Sequence, residues 1–128
     1  MPHTISIDKQ VDLAMQLVLE GADIIQTEGG KSSNPYNSGI QGLLEKSVPT
    51  LAATLAIHKE FEKQSIYIPI MSASGLSEVS CPLAVSCGAS AVGVGSVVNK
   101  LNDVISMIAV VRGLKESLKN SIIKEKIS

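Results

Sequence analysis

Two short segments that combine glycine with serine have the composition of a phosphate-binding site. Ser74-Gly75 and Gly95-Ser96 each follow a run of mostly apolar residues, and they lie about twenty residues apart. Glycine lets the backbone approach a ligand closely, and N–H groups at the start of a helix point towards an anion. Serine hydroxyls add further donors. The pair predicts a site for a phosphate or similar anion, and the alternative is that the glycines only form tight turns and the serines only cap helices.

Polar residues at the end of an earlier apolar run are candidates for contact with the rest of a ligand. At the carboxyl end of a barrel strand such residues point into the active-site mouth, so Gln26 and Thr27 are predicted to face a ligand. Glu28 is the candidate catalytic acid or base, and the alternative is a solvated loop carboxylate. Ser72 ends a later strand and is a further mouth candidate. His3, which can exchange protons near neutrality, is another if the chain continues upstream.

The periodicity of apolar residues predicts the elements that must position these side chains. The predicted order is helix (11–18), strand (22–27), helix (49–63), strand (69–72), helix (76–86), strand (91–94), a helical turn (97–101) and a last helix that begins after residue 102 or 103. The strands are nearly continuous in apolar residues, which is typical of parallel strands. Strands that alternate with helices imply right-handed crossovers and a parallel sheet.

Two details of these helices carry specific expectations. Residues 41–46 are predicted to form only a short turn, and Pro49 is predicted to open the helix that follows, because proline favours the first helical position. The last helix is predicted to pack along one apolar face. That face contains Ile105, Ile108, Val111, Leu114 and Leu118.

Composition excludes several classes of protein. The 128 residues carry 11 Lys and Arg against 12 Asp and Glu, a formal net charge of -1, and no basic stripe, so a nucleic acid partner is not expected. No apolar stretch reaches the roughly 18 residues of a membrane span. No zinc-ligand spacing, Walker loop or dinucleotide fingerprint occurs, so no metal site is predicted. Cys81 and Cys87 are predicted to be packing residues, without a local disulfide.

The predicted sheet is too small to be complete. A (β/α)₈ barrel needs roughly 250 residues, so the chain is interpreted as one partial barrel domain over residues 1–128, with truncation before Met1 as one explanation. Three strands leave two open edges, which proteins usually cover. A homo-oligomer is one way of covering them.

Four segments carry a resemblance to a known family. These are Gly21–Gly30, Pro49–Ala53, Met71–Ser77 and Val92–Asn99. Together they resemble the hypothetical chloroplast reading frame 23 family of algal plastids and cyanobacteria, over its C-terminal half. The resemblance implies an aldolase-type (β/α)₈ TIM barrel, and a plastid-encoded protein of the chloroplast or cyanelle stroma. It implies no catalytic residues.

The functional hypothesis is a plastid protein that resembles a TIM-barrel enzyme and binds a phosphorylated small molecule at its last two βα loops. Flavin mononucleotide is a candidate cofactor by analogy with flavin barrels, which is an argument from fold alone. A non-catalytic protein that binds or senses a phosphorylated metabolite is an alternative, and a truncated reading frame without function is another. Whether the chain is an enzyme stays open at this point.

Overall fold

The chain folds as an α/β protein with a small parallel sheet. A computed structural model describes residues 4–28 and 36–127. Its elements, in chain order, are α1 (Ile7–Leu19), β1 (Ile25–Gln26), α2 (Gly39–Lys63), β2 (Ile70–Ala73), α3 (Cys81–Ser86), β3 (Ala91–Gly93), α4 (Ser96–Asn99) and α5 (Val104–Ile127). The predicted alternation of helices and strands is confirmed. β1, β3 and α3 are shorter than predicted, whereas β2 has the predicted length and is shifted by one residue.

The three strands form one sheet in the order β1-β2-β3, and both pairings are parallel. The register places Ile25 of β1 beside Ile70 of β2, and Met71 of β2 beside Ala91 of β3. The sheet in the described part of the chain is open and does not close into a barrel.

The two faces of the sheet differ in how they are covered. Ile25 and Ile70 are each 2% exposed and pack with Ile57 and Phe61 of α2. Residues of the opposite face stay partly exposed, including Met71 on the central strand. A central strand that is covered on both faces would bury such a residue. The sheet therefore has one face packed against helices and one face that is incompletely covered.

Helix α2 is longer than the sequence predicts. It runs from Gly39 to Lys63 and contains Pro49 in its interior. The predictions of a short turn at 41–46 and of a helix that starts at Pro49 are therefore wrong, although the predicted end near Lys63 is confirmed. Interior proline loses one backbone hydrogen bond and costs about 3 kcal/mol, so other interactions must hold the first half of the helix.

Contacts on both sides of the proline supply that support. Ser47 and Thr50 flank it and are fully buried, so this part of α2 is held by packing. One turn earlier, a carboxylate oxygen of Glu45 accepts hydrogen bonds from the backbone N–H groups of Tyr36 (2.8 Å) and Asn37 (3.3 Å). The segment before α2 is thus tied to the helix surface, and the helix can begin ten residues before its proline.

Helix α5 packs on a second apolar cluster through its middle. Leu114 is 6% exposed and packs with Cys81 of α3, among other residues. The first half of the predicted apolar face is not covered, because Ile105 is 76% and Ile108 is 46% exposed. The prediction of one continuous packed face is therefore wrong over that half, where the described part of the chain supplies too little surface to bury it.

The two cysteines behave as small packing residues rather than as a pair. Both are free thiols; Cys81 is buried and Cys87 is half-buried. Burial raises the pKa of the Cys81 thiol to about 11, which keeps it neutral and unreactive at physiological pH. The absence of a local disulfide, predicted from their spacing, is confirmed.

Candidate functional site

A cleft of about 440 Å³ lies at the carboxyl edge of the sheet. It is lined by the last residue of each strand, by the turns that follow β2 and β3, and by one residue of α2. These are Gln26, Lys46, Ala73, Ser74, Gly75, Leu76, Gly93, Val94 and Gly95. The structure therefore brings Ser74, Gly75 and Gly95 together, with Gln26 beside them. Of Ser96 it describes only the backbone, which begins α4 directly after Gly95.

The turn after β2 has a left-handed backbone at two consecutive residues. Ser74 has φ 78° and Gly75 has φ 72°. A Cβ on Gly75 would lie 2.6 Å from the carbonyl oxygen of Lys46, so only glycine fits against α2 at this point. Ser74 is exposed, so packing of its side chain does not explain its left-handed φ, which is unfavourable for a residue other than glycine. Strained backbone of this kind clusters at ligand sites.

The turn after β3 is relaxed by comparison. Gly95 has no left-handed φ, and a Cβ placed on it would find no heavy atom closer than the Nδ2 of Asn99, at 3.8 Å. The backbone is therefore open to the cleft at this position, and a side chain introduced here would occupy ligand space without disturbing the fold.

Lys46 supplies the charge of the cleft. The described residues that line the cleft include no Asp or Glu, and among these described residues Lys46 is the one that carries a formal charge. Its Cγ lies 3.5 Å from the Cβ position of Gly75, so the side chain runs beside the strained turn. Within the described ranges Lys46 forms no ion pair. Sequence reasoning missed this residue because it expected a turn there; the four-residue spacing to Thr50 and Thr54 was the available signal of a shared helix face.

Thr27 and Ser72 lie beneath the cleft rather than in its lining. Both are fully buried, as are Thr50 and Thr54 of α2, which face them. The hydroxyl of Thr27 lies 2.8 Å from that of Thr50, and the hydroxyl of Ser72 lies 2.7 Å from that of Thr54. We refer to these four side chains as the hydroxyl layer. It separates the cleft from the apolar core below.

The remaining predicted candidates lie apart from the cleft. Glu28 is exposed, two residues beyond the end of β1, and does not line the cleft. His3 lies outside the described residues. Among the side chains that the structure describes (residues 4–28, 36–95 and 97–119), no three His, Cys, Asp or Glu converge in a way that could hold a metal ion.

A second cleft, of about 470 Å³, lies at the opposite, amino edge of the sheet. It is bordered by residues 66–69, which precede β2, and by the His58 and Glu62 side chains, whose Nε2 and Oε1 atoms are 2.9 Å apart. A Cβ on Gly88 would collide with the ring of His58, at 2.1 Å from its Cγ. In open parallel α/β sheets ligands bind outside the carboxyl ends of the strands, so we assign the candidate site to the carboxyl edge.

Comparison with known proteins identifies relatives of this chain. The family described as "Protein of unknown function (DUF561)" matches residues 1–124. Proteins named "Uncharacterized protein ycf23" are similar over the whole chain: the one from Pyropia yezoensis is 35% identical and the one from Porphyra purpurea is 33% identical. A third, from Cyanidium caldarium, is 34% identical over 91% of this chain. The resemblance predicted from the sequence is confirmed.

These relatives are longer than the chain and come from algae. The match covers 49%, 50% and 45% of the three relatives, so the chain spans about half the length of the curated relatives it matches. The relatives come from plastid genomes of algae, which is consistent with a plastid protein. No solved structure matches the chain. None of the helices in the described ranges is both long enough and apolar enough to cross a membrane.

Proposed function

The chain belongs to the DUF561 family of proteins of unknown function, and we propose that it forms part of a (β/α)₈ barrel that binds a phosphorylated small molecule at the carboxyl edge of its sheet. The observation that carries this proposal is the cleft that unites Ser74, Gly75 and Gly95 with the basic residue Lys46. We further propose that Ser96, at the start of α4, contributes to the same site, and that the protein works in the plastid stroma.

The barrel part of the proposal rests on the asymmetry of the sheet. Parallel strands with right-handed crossovers place successive helices on one face, and here the apolar residues Ile25 and Ile70 pack on α2 while Met71 on the other face stays partly exposed. In a barrel the second face would be the interior, filled by side chains from further strands. The greater length of the relatives is consistent with such strands.

The open edges of the sheet favour association of the chain with a second protein surface. Both β1 and β3 have a free edge in the described part of the sheet, and exposed edges favour association. We propose that a second copy of the chain covers these edges. Sedimentation velocity at several concentrations tests this: a stable dimer is expected, and a monomer that is well folded at micromolar concentration would contradict it.

The ligand part of the proposal rests on charge and backbone geometry. Among the lining residues that the structure describes, one lysine and no acidic group favour an anion over a cation or a neutral sugar. Open backbone at Gly95 and the hydroxyl of Ser74 add donors of the kind that bind phosphate oxygens. Leu76 and Val94 add a small apolar surface for the remainder of the ligand. Flavin mononucleotide is one phosphate monoester of this type, proposed by fold analogy.

The cleft favours binding over catalysis by this chain alone. General acid–base catalysis needs a group that can exchange protons within hydrogen-bond reach of the ligand. Within the described part of the lining, Lys46 is the one titratable side chain, and Glu28, the candidate acid or base, does not line the cleft. We therefore propose phosphometabolite binding as the function of this segment. Turnover, if the complete barrel has any, would use residues from elsewhere.

Titration with ligands that differ only in the phosphate tests the proposal. Calorimetry with flavin mononucleotide, riboflavin and inorganic phosphate should detect binding of the two phosphate-bearing ligands and much weaker binding of riboflavin. Lys46→Gln should weaken phosphate binding about tenfold to a hundredfold, as expected for loss of a charged hydrogen-bond donor worth about 1.5–3 kcal/mol. Lys59→Gln is the matched control, because Lys59 is exposed on the same helix and does not line the cleft.

The glycine of the relaxed turn provides a second, independent test. Gly95→Asp places a carboxylate at the cleft without a steric clash, so the variant should fold normally and lose phosphate binding. Equal phosphate affinity of Gly95→Asp, Lys46→Gln and the unmodified protein would overturn the proposal.

A further inference from the structure

We propose that Thr27 and Thr50 are positioning residues for the cleft. Their hydroxyls bond the backbone N–H and the carbonyl of Ala73 in a closed ring of hydrogen bonds and so fix the Ser74-Gly75 turn. The inference rests on the proposed phosphate function of that turn. It follows from the distances in the hydroxyl layer and from the single proton that each hydroxyl carries.

The proton positions in the ring follow from chemistry. The hydroxyl of Thr50 lies 2.6 Å from the carbonyl oxygen of Ala73, and because a carbonyl only accepts, Thr50 donates this bond. Thr50 has no second proton, so in its 2.8 Å contact with Thr27 the donor is Thr27. The backbone N–H of Ala73 in turn donates to the hydroxyl of Thr27 (3.3 Å). The ring begins and ends on Ala73.

The other two hydroxyls form a separate branch. Thr54 donates to the carbonyl oxygen of Thr50 (2.8 Å), so Ser72 must donate to Thr54 in their 2.7 Å contact. The remaining contact, 3.4 Å between the hydroxyls of Thr54 and Thr27, has no proton left to fill it. The branch thus ties β2 to α2 but makes no hydrogen bond to the N–H or the carbonyl of Ala73.

The ring lies beside the last residue of β2, at a level where the neighbouring strand β1 has already ended. The regular part of β1 stops at Gln26, and the last main-chain bond on this side runs from the N–H of Thr27 to the carbonyl of Met71 (2.9 Å). The N–H and carbonyl of Ala73 come next along β2, and side chains of Thr27 and Thr50 bond them instead. Hydroxyls therefore extend the hydrogen-bonded order of the sheet by one residue.

That one residue directly precedes the strained turn. Ser74 and Gly75 both have left-handed φ values, and such conformations persist where their surroundings hold them. The ring fixes the turn on one side, and the contact of Gly75 with the backbone of Lys46 fixes it on the other. Lys46 and Thr50 are one helical turn apart on α2, so the same helix face holds the turn and presents the cation.

The two hydroxyl groups of α2 provide matched variants for a test. Thr50→Val opens the ring, whereas Thr54→Val breaks only the branch, with the same change of side chain at the same burial. We expect Thr50→Val to lower the affinity for inorganic phosphate at least fivefold and Thr54→Val to leave it within twofold. Thr50→Ser, which restores the hydroxyl, should recover the affinity. Equal losses in both valine variants, or no loss in Thr50→Val, would overturn the inference.

Amide hydrogen exchange tests this inference separately from the proposed function. It also tests the ring in the unmodified protein, so the test remains valid if a variant folds poorly. In the unmodified protein the ring requires that the Ala73 amide is protected, and in Thr50→Val but not in Thr54→Val that protection should fall at least tenfold. An unprotected Ala73 amide in the unmodified protein would refute the ring even if Thr50→Val does not fold. If the unmodified protein binds no phosphate, the proposed function fails, while the exchange comparison still decides whether the ring positions the turn.

Discussion

The interface between α2 and the sheet consists of two layers that are built differently although they share the same elements. The lower layer, Ile25, Ile57, Phe61 and Ile70, is apolar, whereas the hydroxyl layer directly above it is polar and equally buried. Along β1 and β2 the chain passes from one layer to the other within two residues, from Ile25 to Thr27 and from Ile70 to Ser72. Apolar contacts are non-directional and tolerate small shifts, but hydroxyl contacts fix distances and angles. The directional layer lies next to the cleft, where geometry matters most.

The lower layer should carry most of the stability. Ile57→Ala removes a fully buried side chain, and we expect a loss of about 3–4 kcal/mol in the free energy of unfolding, from lost burial plus the cavity that remains. Urea denaturation followed by circular dichroism measures it. Leu55→Ala, on the same helix but 38% exposed, should lose less than about 1.5 kcal/mol. Similar losses for both variants would contradict the separation into layers.

The two glycines of the cleft should differ in stability as the two turns differ in strain. Gly75→Ala must accommodate a left-handed backbone and a Cβ 2.6 Å from a carbonyl oxygen, and we expect a loss of about 2 kcal/mol or more. Gly95→Ala should lose about 0.5 kcal/mol or less, because it meets neither obstacle. Thermal unfolding compares them; a larger loss in Gly95→Ala would mean that the turn after β3 is the constrained one.

Removal of hydroxyls should be strongly non-additive within the branch. Thr54→Val leaves the buried hydroxyl of Ser72 without its acceptor, at a cost of about 1–3 kcal/mol. The double variant Thr54→Val with Ser72→Ala removes both partners and should lose less than the sum of the two single changes, by about 1 kcal/mol. A double-mutant cycle in urea tests this. Additive losses would show that the two hydroxyls are not coupled, which would weaken the assignment of the branch.

The smallest effect on stability should come from protonation of Glu45, near the start of α2, as the pH is lowered. The side-chain amide of Asn37, and then the backbone N–H groups of Asn37 and Tyr36, hold the pKa of the Glu45 carboxyl below its ordinary value. A lowered pKa in the folded state gives stability that is present above the unfolded pKa and is lost as pH falls through the folded pKa. We expect the N–H resonances of Tyr36 and Asn37 to shift below about pH 4.5. In Glu45→Gln this transition should be absent.

The sequence predicted those features that depend on local pattern. Near-continuous apolar runs indicated three parallel strands in the right order, although no residue of β3 is fully buried. A helical period indicated the helices between them. Glycine next to serine at two strand ends indicated the turns that line the cleft. Asp103 begins the last helix as expected, since its carboxylate accepts from the N–H groups of Ile105 and Ser106. These outcomes follow from short-range sterics and hydrogen bonding, which neighbouring residues largely determine.

Other features required contacts between residues distant in the chain. Pro49 is a strong local signal for the start of a helix, yet α2 passes through it because Ser47 and Thr50 are buried by tertiary packing. Thr27 sits at a strand end like a ligand-facing residue, yet its hydroxyl turns to α2, 23 positions away in the chain. Neither outcome can be read from periodicity, since both depend on which surface covers which.

The cleft shows the same division. The types of residue at Ser74, Gly75 and Gly95 by themselves determined that two flexible, donor-rich turns would follow β2 and β3. Only the tertiary structure decided that Lys46 would stand beside them and that four hydroxyls would lie beneath, because a helix must dock on a sheet before its faces acquire neighbours. Local sterics choose the turns, and the docking of α2 decides which charge and which hydrogen bonds those turns receive.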